Sequence, residues 1–286
     1  FKRAIIIGLD GLGGYYLRNI SDSQAPFMRK MLKSDKVCYE YLARAEYPTY
    51  SAPNWASILT GMTTSDTGIL TNDWDHTHLN PVDLTDGKVP PVSGRIPPTI
   101  FNVSKKYNKN IKTAFIYSWD WLGNLADENV DHEYFGSKLS LIISDRSDYH
   151  AAQDLIEQIK SPNPPHLAFI QLSEIDNIGH STFWGSEEYY KSVKSKDRLV
   201  EDIHVALREK KLLRETLIVI TSDHGGYGRG HGLWMRASTQ VPIIFASPTR
   251  KMKEPGNKGD VAPTVLGAMG IPVNKYQRGR DFSSRF

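Results

Sequence analysis

A single cysteine, Cys38, in 286 residues excludes an internal disulfide framework. The chain must hold together through a buried apolar core, which a domain of this length supplies. Cys38 itself reads as a small buried residue. An excess of one charge is also lacking: 35 Lys and Arg against 32 Asp and Glu leave a formal charge of +3, with both signs interspersed. That balance argues against specific nucleic-acid binding and against an acidic tail. No run approaches the roughly 20 apolar residues needed to span a bilayer, so a soluble domain without a transmembrane segment is expected. The opening "FKRAIIIGLDGLGG" is too short and too broken by glycine for a signal core. Because the chain starts at Phe1 and not at Met, its native N-terminus is expected upstream, which leaves secreted, periplasmic and membrane-anchored origins open. Repeats and low-complexity tracts are absent, and nothing in the composition speaks to oligomeric state.

What is present is alternation. Short β-rich apolar runs occur at 4–9, 113–117, 167–172, 217–221 and 241–246, separated by stretches of helical period near 26–34, 53–59, 99–107, 149–160, 187–211 and 260–269. Runs apolar on both faces suit the middle of a parallel sheet covered by helices. The pattern predicts one α/β domain over residues 1–286, a three-layer α/β/α sandwich with a mostly parallel central sheet. Two stretches do not fit that core: 72–98 is rich in Pro, Asp and His, and 119–147 is aromatic and acidic. Both read as insertion loops at a sheet edge near the active site.

Polar residues collect at strand ends. Asp10 closes "AIIIGLD", Asp176 lies just beyond "LAFIQLS", and Asp223 and His224 follow "LIVITS". In an open α/β sheet, ligands gather outside the carboxyl ends of the strands. "EIDNIGH" puts His180 four residues after Asp176, on one face of a helical turn, and "GRGHG" returns His231 to the same rim among glycines. Singly these have plainer readings: Asp10 a helix cap, Asp176 a turn residue, His231 a loop histidine. Jointly, three Asp and three His are more ligands than one metal uses, and repelling carboxylates are not grouped without a cation. Carboxylate with imidazole is a common zinc set, and paired metals recur in phosphoryl transfer. Two Zn2+ per chain are expected, with Mn2+ or Mg2+ as substitutes.

A nucleophile is offered by "PTYSAPNWASILTG". Ser51 opens a helical stretch with Pro53 in its first turn, so its hydroxyl is either an ordinary N-cap or a reactive group in the positive field of a helix N-terminus. Asn54, one turn on, has an amide able to donate to a phosphoryl oxygen.

The ordered set "IIIGLDG", "PTYSAPNWASILTG", "EIDNIGH", "SDHGG" and "GHG", closed by "GDVAPTVLGAMGIP", resembles the alkaline phosphatase superfamily, particularly its type I phosphodiesterase/nucleotide pyrophosphatase branch, over nearly the whole chain. The resemblance implies one zinc site of Asp10, Ser51, Asp223 and His224 and another of Asp176, His180 and His231. It implies a phosphoseryl intermediate, Asn54 as a transition-state donor, and a small phosphodiester or nucleotide substrate. Departures are Ser51 where that branch usually has Thr, and Thr67 where "SDTGIL" usually has His. In monoesterases a motif resembling "S-x-K-x-R-G" supplies cations, but the nearest match, "SWDWLGN", puts Asp120 and Leu122 at those positions, which favours a diester. A phosphomonoesterase, phosphonate hydrolase or phosphomutase is the alternative, and a non-catalytic metal-binding relative is the weakest reading. A sulfatase is disfavoured because "C/S-x-P-x-R" is not completed around Ser51. Tyr117, Trp119 and Trp121 form either a stacking face for an organic substituent or aromatic core. His76 and His78 read as exposed loop residues; Trp234, Arg229 and Arg236 border the histidine motif.

Overall fold

The computed structural model describes residues 1–75, 98–136, 145–246, 261–274 and 277–285. Seven strands, β1 (Arg3–Leu9), β2 (Val37–Arg44), β3 (Thr113–Tyr117), β4 (His132–Phe135), β5 (Leu167–Leu172), β6 (Thr216–Thr221) and β7 (Gln240–Ala246), form one sheet in the order β2-β7-β6-β1-β5-β3-β4. β6, β1, β5, β3 and β4 run parallel, while β7 pairs antiparallel with β6 and β2 antiparallel with β7. The expected three-layer, mostly parallel sandwich is the fold observed. The helices are α1 (Gly14–Asn19), α2 (Pro26–Leu32), α3 (Ser51–Thr60), α4 (Thr64–Thr67), α5 (Ile100–Tyr107), α6 (Asp145–Lys160), α7 (Glu174–Ser181), α8 (Glu187–Glu209), α9 (Arg236–Thr239) and α10 (Val261–Ala268).

Strand side chains alternate between two cores, as the pleat requires. Ile5, Ile7 and Leu9 of β1 join a cluster with residues of α2, α6 and α8, whereas Ala4 and Ile6 join one with residues of α3, α5 and α10. Helix ends carry local signals. Ser186 caps α8 by accepting from Tyr189 N–H at 3.1 Å, with Glu187 and Glu188 in the positive first turn. α3 stops at Gly61, whose φ of +69° an L side chain adopts only under strain.

The stretch 119–147 is not simply an appended loop. Asp120–Leu125 is a 3-10 turn and His132–Phe135 is the edge strand β4, paired with β3. Its polar composition reflects the one-sided burial of an edge, not exclusion from the sheet. Most of 72–98, including His76 and His78, lies outside the described residues.

One buried ion cluster ties the helical layer to the sheet rim. Lys196 of α8, 1% exposed, lies 3.2 Å from Asp148 of α6 and contacts Glu174, the first residue of α7. Burial opposes the lysine charge, yet Asp148 and Glu174 outweigh it and hold its pKa above the ordinary value. Asp148 also accepts from the Ser173 and Glu174 N–H groups, at 2.9 and 3.1 Å, so the cluster sets where α7 begins. Lys196→Met leaves two carboxylates without their cation and is expected to cost about 3–5 kcal/mol of unfolding free energy, read by urea denaturation. A loss below about 1 kcal/mol would show that the cluster does not hold these helices.

Candidate metal centre and nucleophile

Because β6, β1 and β5 are adjacent and parallel, their carboxyl ends reach one edge of the sheet. Asp10 directly follows β1, Asp223 and His224 follow β6, and Asp176 lies in the first turn of α7 after β5. Gly11 makes their approach possible. It has φ +74°, and a Cβ there would sit 2.8 Å from the Asp176 Cα. Its N–H donates to Asp223 Oδ1 at 3.2 Å, and its carbonyl accepts from Trp184 Nε1 and Tyr189 Oη at 2.9 and 3.1 Å.

Two ligand clusters result. Asp10, Asp223 and His224 each offer an atom within 4.8 Å of the others, as do Asp176, His180 and His231. His224 Nε2 lies 3.2 Å from Asp223 Oδ2, 3.6 Å from Asp10 Oδ1 and 3.8 Å from Asp176 Oδ1, so the clusters adjoin. The His224 and His231 rings stack with centroids 3.7 Å apart.

All three imidazoles are oriented alike. Nδ1 of His224, His231 and His180 lies 2.9, 2.6 and 2.8 Å from the carbonyl oxygens of Gly225, Thr49 and Arg229. A carbonyl only accepts, so each Nδ1 carries the proton and each Nε2 turns a lone pair to the rim. Nε2 of His180 and of His231 then face each other at 3.1 Å, a pairing that calls for a cation or proton between two lone pairs.

The carboxylates are arranged in the same way. Asp10 Oδ2 accepts from Trp55 Nε1 at 3.0 Å and Gln171 Nε2 at 2.8 Å. Asp10 Oδ1, Asp176 Oδ1 and Asp223 Oδ2 are buried with no hydrogen-bond partner among the described residues. Burial, reinforced by Asp223, pushes Asp10 well above the carboxylate range; burial and Asp10 do the same to Asp176. Burial and Asp176 raise Asp223 to about 8. Burial and the neighbouring His231 push His224 well below the ordinary imidazole value, and burial lowers His231 to about 4. The protein alone thus disfavours charge of either sign here, while orphaned carboxylate oxygens and inward lone pairs are the donor set a divalent cation takes. The residues fit the group.

Ser51 is the first residue of α3, not its cap; Tyr50 holds the cap position without a side-chain bond. The Ser51 hydroxyl instead lies 3.0 Å from His224 Nε2, within the first cluster. Asn54 departs from expectation. Its Nδ2 donates to the carbonyls of Glu46, Pro48 and Tyr50 at 3.3, 3.1 and 2.8 Å, and its Oδ1 accepts from Glu46 N–H at 2.7 Å. At 2% exposure its amide holds the loop before α3 and has nothing left for a phosphoryl oxygen. Asn72, passed over in the sequence, is better placed: its Oδ1 accepts from Ala52 N–H at 3.0 Å and it lines a cavity with Trp119 and Trp121. Only its distance from Ser51 along the chain hid it.

Other residues fall outside the centre. Tyr117 is core: its hydroxyl donates to Glu133 at 2.7 Å, its pKa is held well above the ordinary value by burial and then by Glu133, and its ring stacks on Phe135. Trp119 and Trp121 stack with centroids 5.3 Å apart. Thr67 is buried in α4, donating to Thr64 O at 3.1 Å. Trp234 is 65% exposed and packs edge-on against Tyr47.

The fold has counterparts of known structure. The chain superposes on a 2-O GAG sulfatase with a TM-score of 0.71 at 17% identity, over 99% of this chain and 73% of that one. On murine ectonucleotide pyrophosphatase/phosphodiesterase 5 in complex with AMP the TM-score is 0.60 at 18% identity, over 79% and 57%. Fold and ligand rim together place the chain in the alkaline phosphatase superfamily. Within it, the profile of type I phosphodiesterase/nucleotide pyrophosphatase matches residues 4–227, and the chain belongs to that family. A sulfatase profile matches residues 184–271. The 2,3-bisphosphoglycerate-independent phosphoglycerate mutase of Clostridium tetani is 25% identical over 144 residues, 47% of this chain and 27% of the mutase. Arylsulfatase K of Bos taurus is 30% identical over 100 residues, 32% of this chain and 18% of its own length. The matches thus span less than a third of either relative's length. No helix among the described residues is long and apolar enough to cross a membrane.

Gln171, buried in β5, braces Asp10 while its Oε1 accepts from the Ser118 and Trp119 N–H groups at 3.1 and 3.2 Å. Gln171→Ala is expected to weaken divalent-metal affinity by about 10–100-fold, read by competition with a chromophoric chelator. Unchanged affinity would show that Asp10 needs no such brace.

Proposed function

We propose that the chain is a two-metal-ion phosphodiesterase or nucleotide pyrophosphatase that works through a phosphoseryl intermediate on Ser51. The observation that carries this reading is the Ser51 hydroxyl, 3.0 Å from His224 Nε2 at the start of α3, with both ligand clusters beside it. Asp10, Asp223 and His224 would hold one cation together with the serine oxygen, and Asp176, His180 and His231 the other. Zinc suits this donor set, with Mn2+ or Mg2+ as substitutes. The cations would supply charge stabilisation for the attacking and departing oxygens.

The chain's own groups do the rest. Ser51 Oγ forms a bond to phosphorus as its proton passes to solvent, and the bond to the departing oxygen breaks, that oxygen taking a proton from water. The amide of Asn72, next to the free end of α3, donates to the phosphoryl oxygens as their charge shifts. Water then attacks phosphorus, releasing a monoester and restoring the serine hydroxyl. Only the second half of this cycle consumes water.

Two features favour a diester over its rivals. Asp120 and Leu122 replace the cations a monoesterase would use, and Leu122 is fully buried. At the position where a sulfatase pattern needs Arg stands Trp55, whose indole is committed to Asp10; the sulfatase profile match starts at residue 184, well past Ser51. Similarity to a mutase favours a second reading, a phosphotransferase in which a substrate hydroxyl replaces water in the second step.

Bis-p-nitrophenyl phosphate is expected to turn over faster than p-nitrophenyl phosphate, and the reverse order would overturn the diester assignment. Elemental analysis should give two divalent ions per saturated chain, and one would contradict the paired centre. Asn72→Ala should lower kcat by about 10–1,000-fold with a small shift of the denaturation midpoint from the lost Ala52 N–H acceptor, whereas Asn54→Ala, which removes four hydrogen bonds, should shift the midpoint further. If Asn72→Ala is silent in kcat, the donor is another group.

A further inference from the structure

Beyond the second cluster opens a cavity of about 520 Å³, bounded by His180 and His231 on the side of the centre and by Tyr50, Tyr227, Leu233 and Met235 around it. Among the described residues that line it, none but the two imidazoles is ionisable within the physiological range. Tyr227, Leu233 and Trp234 are 62%, 67% and 65% exposed. Single exposed apolar residues need no explanation, but three in one short loop beside a reactive centre do. The loop is held. Tyr227 and Gly230 exchange backbone hydrogen bonds of 2.8 and 3.2 Å, and His231 is tied to Thr49 through its ring and its carbonyl. Trp234 packs on Tyr47 with centroids 5.3 Å apart, and the Arg44 guanidinium lies 6.0 Å over its ring. A surface held in place costs a ligand little ordering entropy.

In-line displacement puts the departing oxygen opposite the attacking one. With Ser51 Oγ against His224 in the first cluster, the phosphodiesterase reading puts the departing group on the side of the second, whose His180 and His231 line the cavity. A departing phosphate would call for Arg or Lys. Neither Arg229 nor Arg236 lines the cavity, and Arg229 Nε is turned to the Thr182 carbonyl at 3.4 Å. Resting on the phosphodiesterase reading, we infer that this cavity is the subsite for the departing group and that this group is an uncharged, apolar alcohol. The substrate class is a phosphodiester with an alkyl or aryl leaving group, in preference to a nucleotide pyrophosphate.

The methyl and hexyl esters of thymidine 5′-monophosphate release alcohols of closely matched basicity, so their ratio reads the cavity. With the metal-loaded protein, kcat/KM for the hexyl ester is expected to exceed that for the methyl ester by about tenfold or more. In the double variant Tyr227→Ala, Leu233→Ser, at two exposed positions, the ratio should fall toward one. Leu233→Lys should lower it too, while raising turnover of a symmetrical dithymidine pyrophosphate, whose departing group is an anion. Calorimetric binding of hexylphosphonate against methylphosphonate repeats the comparison without turnover. A ratio near one, with hexylphosphonate bound no tighter than methylphosphonate, overturns the subsite. Tighter binding of hexylphosphonate, lost in the double variant, supports the subsite even if no diester is hydrolysed, in which case the phosphodiesterase reading alone falls.

Discussion

The carboxylates of Asp10 and Asp223, both buried, and of Asp176, half-buried, all lie within 3.8 Å of His224 Nε2 at one edge of a sheet, and their mutual repulsion is the constraint around which the centre is arranged. Each reaches the rim from a different strand, so no local adjustment separates them. Gly11 lets the backbone pass at contact distance from Asp176 and gives its N–H to Asp223. Trp55 and Gln171 occupy one oxygen of Asp10 and leave the other facing inward. Further back, the Lys196–Asp148–Glu174 cluster sets the start of α7 and with it the position of Asp176. Groups held so firmly in a repelling arrangement favour a cation over relaxation.

The histidines answer the same constraint from the other sign. Backbone carbonyls take the Nδ1 proton of all three imidazoles, so none can turn its N–H to the rim without abandoning its acceptor, a buried one for His224 and His231. Ser51 is joined to this set not by sequence but by the start of α3, which sets its hydroxyl 3.0 Å from His224 Nε2. Asn54 serves that start indirectly by holding the 46–50 loop, while Asn72 reaches it from a different segment.

The fold is shared with sulfatases and with nucleotide pyrophosphatases, so it does not select among phosphate and sulfate esters. In the phosphodiesterase reading, selection falls to side chains around the rim: Trp55, Asp120 and Leu122 stand where sulfatases and monoesterases would carry cations, Tyr227 and Leu233 line the cavity beyond the histidines, and Trp234 is exposed on the same loop. Tyr227, Leu233 and Trp234 are exposed on a loop, where substitution costs the core little, whereas Trp55 and Leu122 are fully buried and serve the core as well.

The strands β1, β3, β5, β6 and β7 were legible because each is buried on both faces, and that burial writes a continuous apolar run into the chain. β2 and β4 were not: both are edges with one neighbour, and their tyrosines, acids and histidine carry no such run. Asp10, Asp223 and His224 were readable for a related reason, since they stand at strand ends, which show in sequence, while Asp176 and His180 were read from their four-residue spacing and His231 from its flanking glycines. The roles of Asn54 and Asn72 were decided only in three dimensions. An amide acts through whatever its few donors and acceptors meet, and those partners, eight or fewer residues away for one and twenty for the other, are brought together by packing rather than by spacing.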